Sequence, residues 1–242
     1  LAMGAAMALA GAAITAAVVR RDPPARDDAL DRAIDRTLLR YLGAPRGDRI
    51  YLTAKLHSDP VVQQLARLEP PLGEVLDVAC GRGQLSILLV ELGLATRFTG
   101  LDWDRRKVEV CQVAAGEDGR AIVADATRAE LAPVDTVLII DALHYLAREE
   151  RRALLERAAA ALRPGGRLVI RELDPKRGLR SRIAQWAERV GSRVGMNRGA
   201  VCEWVDPAAL SAEVAALGLS PRLVPHPDDK PSPNYLLIAD KA

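Results

Sequence analysis

The chain has 242 residues, enough for one α/β domain with extensions but short for two independent domains. Its net charge of +2 argues against a general nucleic-acid binder, so no nucleic-acid partner is expected. Three cysteines without disulfide or metal-ligand spacing are typical of a reducing compartment, and three scattered histidines predict no metal site.

The first segment, residues 1–21, is an apolar stretch that ends in Arg20-Arg21. Residues 1–19 carry no charge, and as a helix they would span about 28 Å, close to the ~30 Å apolar core of a bilayer. Three interpretations stay open: a membrane helix, an alanine-rich helix packed on the domain, or a targeting segment. Under the first, the paired arginines predict a cytoplasmic domain anchored to the inner face of the membrane.

Residues 22–70 are predicted to form a linker and an N-terminal helical cap. Apolar residues recur at helical spacing over Asp27–Leu42, and Gly43–Asp48 ends that helix. Two further short elements follow at Ile50–Pro60 and Val61–Leu68.

The next stretch, Val75–Val90, predicts a buried strand, a tight turn and a helix. Gly81 and Gly83 let the backbone turn sharply and approach a ligand without a Cβ in the way. The turn therefore presents free N–H groups at a helix N-terminus to a ligand above the sheet. Asp102 follows Gly83 by 19 residues and comes directly after the strand Arg97–Leu101, a position where a carboxylate suits a ribose diol.

The glycine pattern separates two classes of nucleotide-binding domain. A dinucleotide fingerprint needs a third glycine near Ser86, and none is present. The pattern Asp77-x-Ala79-x-Gly81-x-Gly83 instead resembles the D-x-G-x-G-x-G signature of class I S-adenosylmethionine-dependent methyltransferases. Ala79 replaces the family's first glycine, which leaves slightly less room beside the methionine part of the cofactor.

The resemblance continues in family order along the chain. Ala121–Ala126 resembles the third strand, Asp135–Leu146 the fourth strand and its active-site edge, and Leu162–Arg171 the "L-x-P-G-G" turn before the fifth strand. Arg222–Pro225 and Tyr235–Asp240 fit the C-terminal hairpin. The resemblance implies an α/β fold: a Rossmann-like seven-stranded sheet with flanking helices over residues 71–242, preceded by the helical extension.

The family pattern also implies S-adenosyl-L-methionine as cofactor and assigns its site. Asp77 would lie near the cofactor's ammonium group and Trp103 against the adenine, while Asp125 would accept from the adenine N6 amine. Asp125 as a turn or cap residue is the alternative. The predicted cofactor-binding residues are Asp77, Ala79, Cys80, Gly81, Gly83, Asp102, Trp103, Asp125, Ala126 and Asp141.

Methyl transfer is expected beside His144 and Tyr145, the predicted catalytic residues. The edge Asp141–Tyr145 lacks the Asn/Asp-Pro-Pro-Tyr motif of many amino-N methyltransferases, which weakens a DNA-adenine or protein-glutamine reading. An imidazole with an unperturbed pKa of ~6.5 suits removal of a hydroxyl proton. A wall or helix-cap histidine is the alternative. Tyr51 and Lys55 lie one helical turn apart and could contact the substrate or the cofactor carboxylate; a packing tyrosine and a surface lysine are the alternative.

Residues 175–206 predict a basic helical insertion. Residues 176–198 carry seven basic side chains and one acidic side chain around an apolar stripe that contains Trp186. Such a helix suits an anionic membrane face, an acidic carrier protein or a substrate phosphate, and a solvated lid helix is the alternative. Asp104 and Asp206 are predicted helix caps.

These patterns predict S-adenosylmethionine-dependent methyl transfer to a small-molecule or acyl-carrier-bound acceptor, at a hydroxyl or aromatic group. Lys55–Pro60, Asp102–Asp104 and Asp141–Tyr145 resemble methyltransferases of bacterial pigment and polyene clusters, which would place the chain in secondary metabolism. Two alternatives remain: a membrane-tethered scaffold without catalysis, and another Rossmann-type nucleotide enzyme such as a reductase.

Overall fold

The computed structural model describes residues 28–69, 71–176, 203–224 and 233–242. The N-terminal cap contains three helices: α1 (Asp28–Leu39), α2 (Arg46–Ser58) and α3 (Pro60–Ala66). The predicted break at Gly43–Asp48 is too long, because α2 begins at Arg46, directly after Pro45. Asp59 ends α2 and caps α3, since its side chain accepts the N–H of Val61.

Seven strands alternate with four helices and one short 3₁₀ turn over the rest of the described chain. The strands are β1 (Gly73–Val78), β2 (Ala95–Asp102), β3 (Gly119–Val123), β4 (Val134–Ile140), β5 (Leu162–Leu173), β6 (Leu219–Val224) and β7 (Asn234–Lys241). The helices are α4 (Gln84–Glu91), α5 (Arg105–Ala115), α6 (Arg148–Ala161) and α7 (Pro207–Ala215), and the 3₁₀ turn is Leu143–Tyr145.

The strands form one sheet in the order β3-β2-β1-β4-β5-β7-β6. β7 runs antiparallel to both β5 and β6, and the other neighbouring strands are parallel. The chain order reverses between β1 and β4, so a crevice opens at the carboxyl ends of these strands. That edge of the sheet is where ligands of open α/β sheets bind.

The sheet is buried on both faces, as a parallel sheet requires. Neighbouring residues of one strand enter opposite layers of the core: Leu138 packs with the layer of α1 to α5, whereas Val137 and Ile139 pack with the layer of α6 and α7. The carboxyl ends of the strands are therefore held by apolar packing from two sides.

Local sequence signals explain several element boundaries. The predicted caps are confirmed: Asp104 accepts two N–H groups at the start of α5, and Asp206 does the same for α7. In β5, Leu162 pairs with Val134 and Arg167 pairs with Thr136, so residues 163–166 are looped out of the ladder. The predicted Pro-Gly-Gly turn is thus a large bulge inside one strand.

Candidate active site

In the turn after β1, every second residue has its backbone in the left-handed region. Ala79, Gly81 and Gly83 have φ values of 62°, 58° and 74°. Glycine adopts this conformation freely, whereas alanine does so at a cost of about 1 kcal/mol. Ala79, which replaces the family's first glycine, therefore stores backbone strain at this turn.

Asp102, at the end of β2, holds the glycine turn from the side. One carboxylate oxygen accepts the Gly81 N–H at 2.8 Å and the other accepts the Asp104 N–H at 2.9 Å. The side chain is buried, with 5% of its surface exposed. Asp102 thus joins the turn of β1 to the end of β2 before any ligand is bound.

Asp77 lies one residue before the end of β1 and is fully enclosed by protein. Its carboxyl accepts the Ser86 hydroxyl at 2.6 Å. Burial raises the pKa of Asp77 to about 7; the negative charge of Asp102 adds to this rise, and the Ser86 hydrogen bond opposes it. A cation placed beside Asp77 would favour its ionised form.

Two buried thiols, Cys80 and Cys111, lie beneath the glycine turn. Their mutual hydrogen bond, together with burial, raises the pKa of Cys80 well above its usual value, so this thiol stays neutral. The Cys80 N–H donates to the carbonyl of Leu101, which ties the turn to β2. A Cβ added at Gly83 would clash with the Sγ of Cys111, so this position admits only glycine without a shift.

The residues after β3 form the far side of the crevice. Asp125 accepts both the N–H and the hydroxyl of Thr127, at 3.0 and 2.7 Å, so it does act as a turn residue. The Ala126 carbonyl accepts from Arg157 at 2.7 Å. Trp103 is 43% exposed at the end of β2. Contact of these residues with adenine stays a prediction.

The N-terminal cap grips the same turn through Arg82. The hydroxyl of Tyr41 donates to the Arg82 carbonyl at 2.7 Å, and Arg82 Nε donates to Asp48 at 2.7 Å. The Arg82 guanidinium lies 4.8 Å from the ring centre of Tyr51, a cation–π contact. Tyr51 therefore packs on the glycine turn, in agreement with the packing interpretation of this residue.

At the ends of β4 and β5, the buried Arg171 and three partly exposed charged side chains form one network. Arg171 donates to Asp141 at 2.5 Å and to Asp59 at 2.8 Å. Lys55 lies 2.5 Å from Asp59 and 3.7 Å from Asp141. Lys55 is thus not a free surface lysine, because two carboxylates of the protein lie beside its ammonium group.

The network shifts the pKa values of Asp59 and Lys55. Burial opposes the charge on Asp59, but Arg171 and Lys55 outweigh it and lower the pKa of Asp59 well below its usual range. Burial likewise opposes the charge on Lys55, and the two carboxylates outweigh it, so the pKa of Lys55 is raised. Asp141 stands at a φ of 54°, a strained value for a non-glycine residue.

Beside this network, His144 and Glu172 form a buried pair. His144 Nδ1 lies 2.7 Å from one Glu172 oxygen, and the other oxygen accepts the Leu143 N–H at 2.6 Å. Both side chains are almost fully buried. An ionised carboxylate only accepts hydrogen bonds, so beside it a neutral imidazole would carry its hydrogen on Nδ1 and its lone pair on Nε2.

Aromatic rings surround the imidazole. The ring centres of His144 and Tyr145 are 4.0 Å apart, and the Trp204 ring is stacked on His144 at 5.9 Å. The Glu203 N–H donates to the His144 carbonyl at 2.9 Å. The segment that begins at residue 203 therefore packs directly on the predicted catalytic histidine.

The structure brings the predicted site residues to one edge of the sheet, from the ends of β1, β2, β3 and β4. Glu172, Arg171 and Asp59 were not among them. A signal was present, because Arg171 and Glu172 interrupt an apolar strand, and buried charges need partners.

Other predictions concern residues outside the described ranges. The apolar segment 1–21 and all but the ends of the basic insertion 175–206 belong to them. Among the described residues no helix has the length and apolar character needed to span a bilayer. The same residues contain no group of three or more metal-ligating side chains.

Comparison with known proteins identifies similar chains. Residues 75–166 match the family model "Methyltransferase domain". A ubiquinone biosynthesis O-methyltransferase of Xanthomonas axonopodis pv. citri is 27% identical over 160 residues, which cover 64% of this chain and 65% of that protein. The chain thus spans just under two thirds of this relative's length.

Solved structures share the fold. An O-methyltransferase family protein from Burkholderia thailandensis superposes with a TM-score of 0.63 at 19% identity, covering 81% of this chain and 59% of that one. An S-adenosylmethionine-dependent methyltransferase from Mesorhizobium loti superposes with a TM-score of 0.62 at 17% identity, covering 76% and 99%. The predicted seven-stranded fold is confirmed.

Proposed function

We propose that this chain, whose residues 75–166 form a class I S-adenosylmethionine-dependent methyltransferase domain, transfers the cofactor's methyl group to a hydroxyl oxygen of a small molecule. The family match confirms the predicted resemblance and argues against another Rossmann-type nucleotide enzyme. The curated relative is named an O-methyltransferase, which supports oxygen as the acceptor atom.

The residues of the glycine turn fit the cofactor. Asp102 would receive the ribose hydroxyls, since its carboxylate already points to the turn and each oxygen has a second lone pair. The buried Asp77 carboxyl suits the ammonium of the methionine part, because that cation would relieve its unfavourable ionisation. When bound, S-adenosylmethionine supplies an activated methyl group on a positively charged sulfur.

The buried pair of His144 and Glu172 carries the proposal. Glu172 holds Nδ1 at 2.7 Å and thereby fixes the ring and its tautomer. Nε2 would then take the proton of the acceptor hydroxyl as its oxygen attacks the methyl group. Alignment of the oxygen with the methyl group supplies much of the rate, and proton removal by a positioned imidazole adds about 10²- to 10⁴-fold.

The surroundings of the imidazole favour an aromatic acceptor. Tyr145 and Trp204 provide flat apolar surfaces beside His144, against which a phenolic ring can stack. The relative's name places that protein in ubiquinone biosynthesis, which agrees with a phenolic hydroxyl. The acceptor is expected to be either a free small molecule or a group bound to an acyl carrier. A location at the inner membrane face and a role in secondary metabolism are further expectations of this proposal.

The test combines cofactor binding with turnover on catechol and related phenols as probe acceptors. We expect micromolar S-adenosylmethionine binding by calorimetry and no binding of NAD(P)H. His144→Gln should lower kcat at least 100-fold with an unchanged cofactor Kd, whereas the exposed His57→Gln should leave both unchanged. Asp102→Ala should abolish cofactor binding in a folded protein.

Glu172→Gln separates positioning from structure. It should lower kcat and move the acidic limb of the pH–rate profile, because the amide no longer enforces the Nδ1–H tautomer. Full turnover by His144→Gln would overturn the base assignment. Cofactor binding without turnover on any phenol would favour the non-catalytic scaffold.

A further inference from the structure

The tip of the α1–α2 hairpin, residues 39–50, exposes an unusual number of large aliphatic side chains. Leu39, Leu42 and Ile50 are 61%, 63% and 57% exposed. The chain turns tightly between the helices, with the Leu42 N–H donating to the Leu39 carbonyl. The three side chains therefore belong to one short exposed segment, and none of them is part of the two hydrophobic core layers.

Two arginines accompany the aliphatic side chains. Arg46, Arg49 and Ile50 are exposed at spacings of three and four, so they share one stripe of α2. Leu52 and Leu56, further along α2, are buried. Within the described ranges neither Arg46 nor Arg49 has an ion pair. The outer stripe thus combines an apolar residue with two uncompensated positive charges.

The only acidic side chain of the tip is already used. Asp48 faces the protein and pairs with Arg82 of the glycine turn, and Tyr41 and Tyr51 contact the same residue. Tyr41, Asp48 and Tyr51 therefore fix the hairpin to the glycine turn. The exposed side chains of residues 39–50, here called its outer side, are only apolar or positively charged. A partner for this outer side must accept both.

We propose that the hairpin tip docks on the surface of an anionic lipid bilayer. Aliphatic side chains of this size enter the boundary between headgroups and acyl chains, and arginine guanidinium groups bind lipid phosphates in a bidentate manner. The absence of a free carboxylate from the tip removes repulsion from the negatively charged surface. A membrane supplies the apolar layer and the anions in one ligand.

This docking goes beyond the proposed methyl transfer and has a consequence for it. Because Tyr41, Asp48 and Tyr51 hold Arg82, a hairpin resting on a bilayer brings the glycine turn close to that surface. The crevice at the sheet edge would then receive acceptors that partition into the membrane. The contact is a peripheral one, made by a described part of the chain and independent of residues 1–19.

The experiment measures flotation of the full chain with vesicles of phosphatidylcholine alone or with 30% phosphatidylglycerol. We expect binding to the anionic vesicles only. Each surface arginine contributes roughly fivefold to such binding, so Arg46→Glu/Arg49→Glu should weaken it at least tenfold. Leu39→Ser/Leu42→Ser/Ile50→Ser should have a similar effect.

Matched variants change the same chemistry elsewhere. Arg67→Glu/Arg120→Glu alters the net charge equally, and Val113→Ser/Leu223→Ser removes exposed apolar side chains; both should change binding less than twofold. All variants should bind S-adenosylmethionine as the parent does. A hairpin variant that loses vesicle binding but still binds the cofactor therefore reports on the hairpin alone. A parent chain that does not bind the cofactor would count against the proposed function instead.

Three outcomes would overturn the proposal. The parent chain does not float with anionic vesicles, the hairpin variants bind as well as the parent, or the matched variants lose binding to the same degree. Dimerisation that the hairpin variants abolish, seen by sedimentation velocity without vesicle binding, would identify the tip as an interface between copies of the chain instead.

Discussion

The two corners of the site are built differently. At the β1–β2 corner, the Gly81 N–H bonds to Asp102, 21 positions along the chain, and the cap adds contacts to Arg82 of the same turn. At the β4–β5 corner, Arg171 bonds to Asp59 across 112 positions. The first corner depends mainly on backbone groups and glycine geometry. The second depends on charged side chains, of which the cap supplies Lys55 and Asp59 and the strand ends supply Arg171 and Asp141.

This difference predicts unequal tolerance to substitution. The stability of a corner that depends on backbone geometry falls when a substitution adds volume or needs a different φ. The stability of a corner that depends on charged pairs falls when one partner is lost. Because a buried charge left alone costs more than a local strain, the largest effects on stability are expected at the β4–β5 corner.

Arg171→Met should produce the largest loss, about 3–5 kcal/mol in the free energy of unfolding, because Asp59 and Asp141 lose their buried partner. Urea denaturation measures it. Arg152→Met is the matched control, since Arg152 pairs with Glu156 at the surface and should change stability little. Equal losses in the two variants would mean that the β4–β5 corner does not depend on its charges.

Gly83→Ala should cost about 2–4 kcal/mol, since the new Cβ meets the Sγ of Cys111 at a φ of 74°. Gly81→Ala is the comparison: its φ is 58°, and no atom lies within 4 Å of the added Cβ, so only strain of about 1 kcal/mol remains. Thermal unfolding compares the two. Adding Cys111→Ala should restore part of the loss in Gly83→Ala, and no recovery would contradict the steric account.

Asp77 should make the cofactor-free protein less stable as the pH rises. Its folded pKa of about 7 lies above the unfolded value of 3.8, so the folded state binds the proton more tightly and stability falls between these values. From pH 5 to pH 6.5 the loss is roughly 2 kcal/mol relative to Asp77→Asn, which lacks this titration. Parallel pH profiles of both proteins would contradict the raised pKa.

Ala79→Gly should give the smallest effect, a gain of about 0.5–1 kcal/mol, because glycine accepts the φ of 62° without strain. Part of the gain is offset by the greater freedom of glycine in the unfolded chain. Ala216→Gly, at a φ of −64°, should instead lose stability. A loss in both variants would show that the turn of β1 is not strained at Ala79.

The same contrast explains how much the sequence predicts. The β1–β2 corner can be predicted from the sequence because Asp77, Gly81, Gly83 and Asp102 follow fixed spacings. Asp104 caps α5, as its residue type indicates. Strand ends were predicted to within a few residues, since apolar runs and glycines mark them. What each site residue contacts in the cofactor remains a prediction.

Only part of the β4–β5 corner could be predicted from the sequence. His144 stood out by its residue type and its place after β4, but its partner Glu172 lies on the next strand, and nothing in the spacing links them. The contacts of Lys55 with Asp59 and Asp141 depend on how the cap meets the sheet. Single-sequence patterns carry no information about such long-range pairs, except that buried charges require some partner.

The junction at residues 176 and 203 bears on how the site can vary. The Lys176 ammonium lies 2.7 Å from Asp206, and the Glu203 N–H bonds to the His144 carbonyl, so the chain departs and returns at nearly the same place. Substitutions in residues 203–206 therefore act on the surroundings of His144 without touching the glycine turn, so the proposed acceptor side of the site can vary independently of the proposed cofactor side.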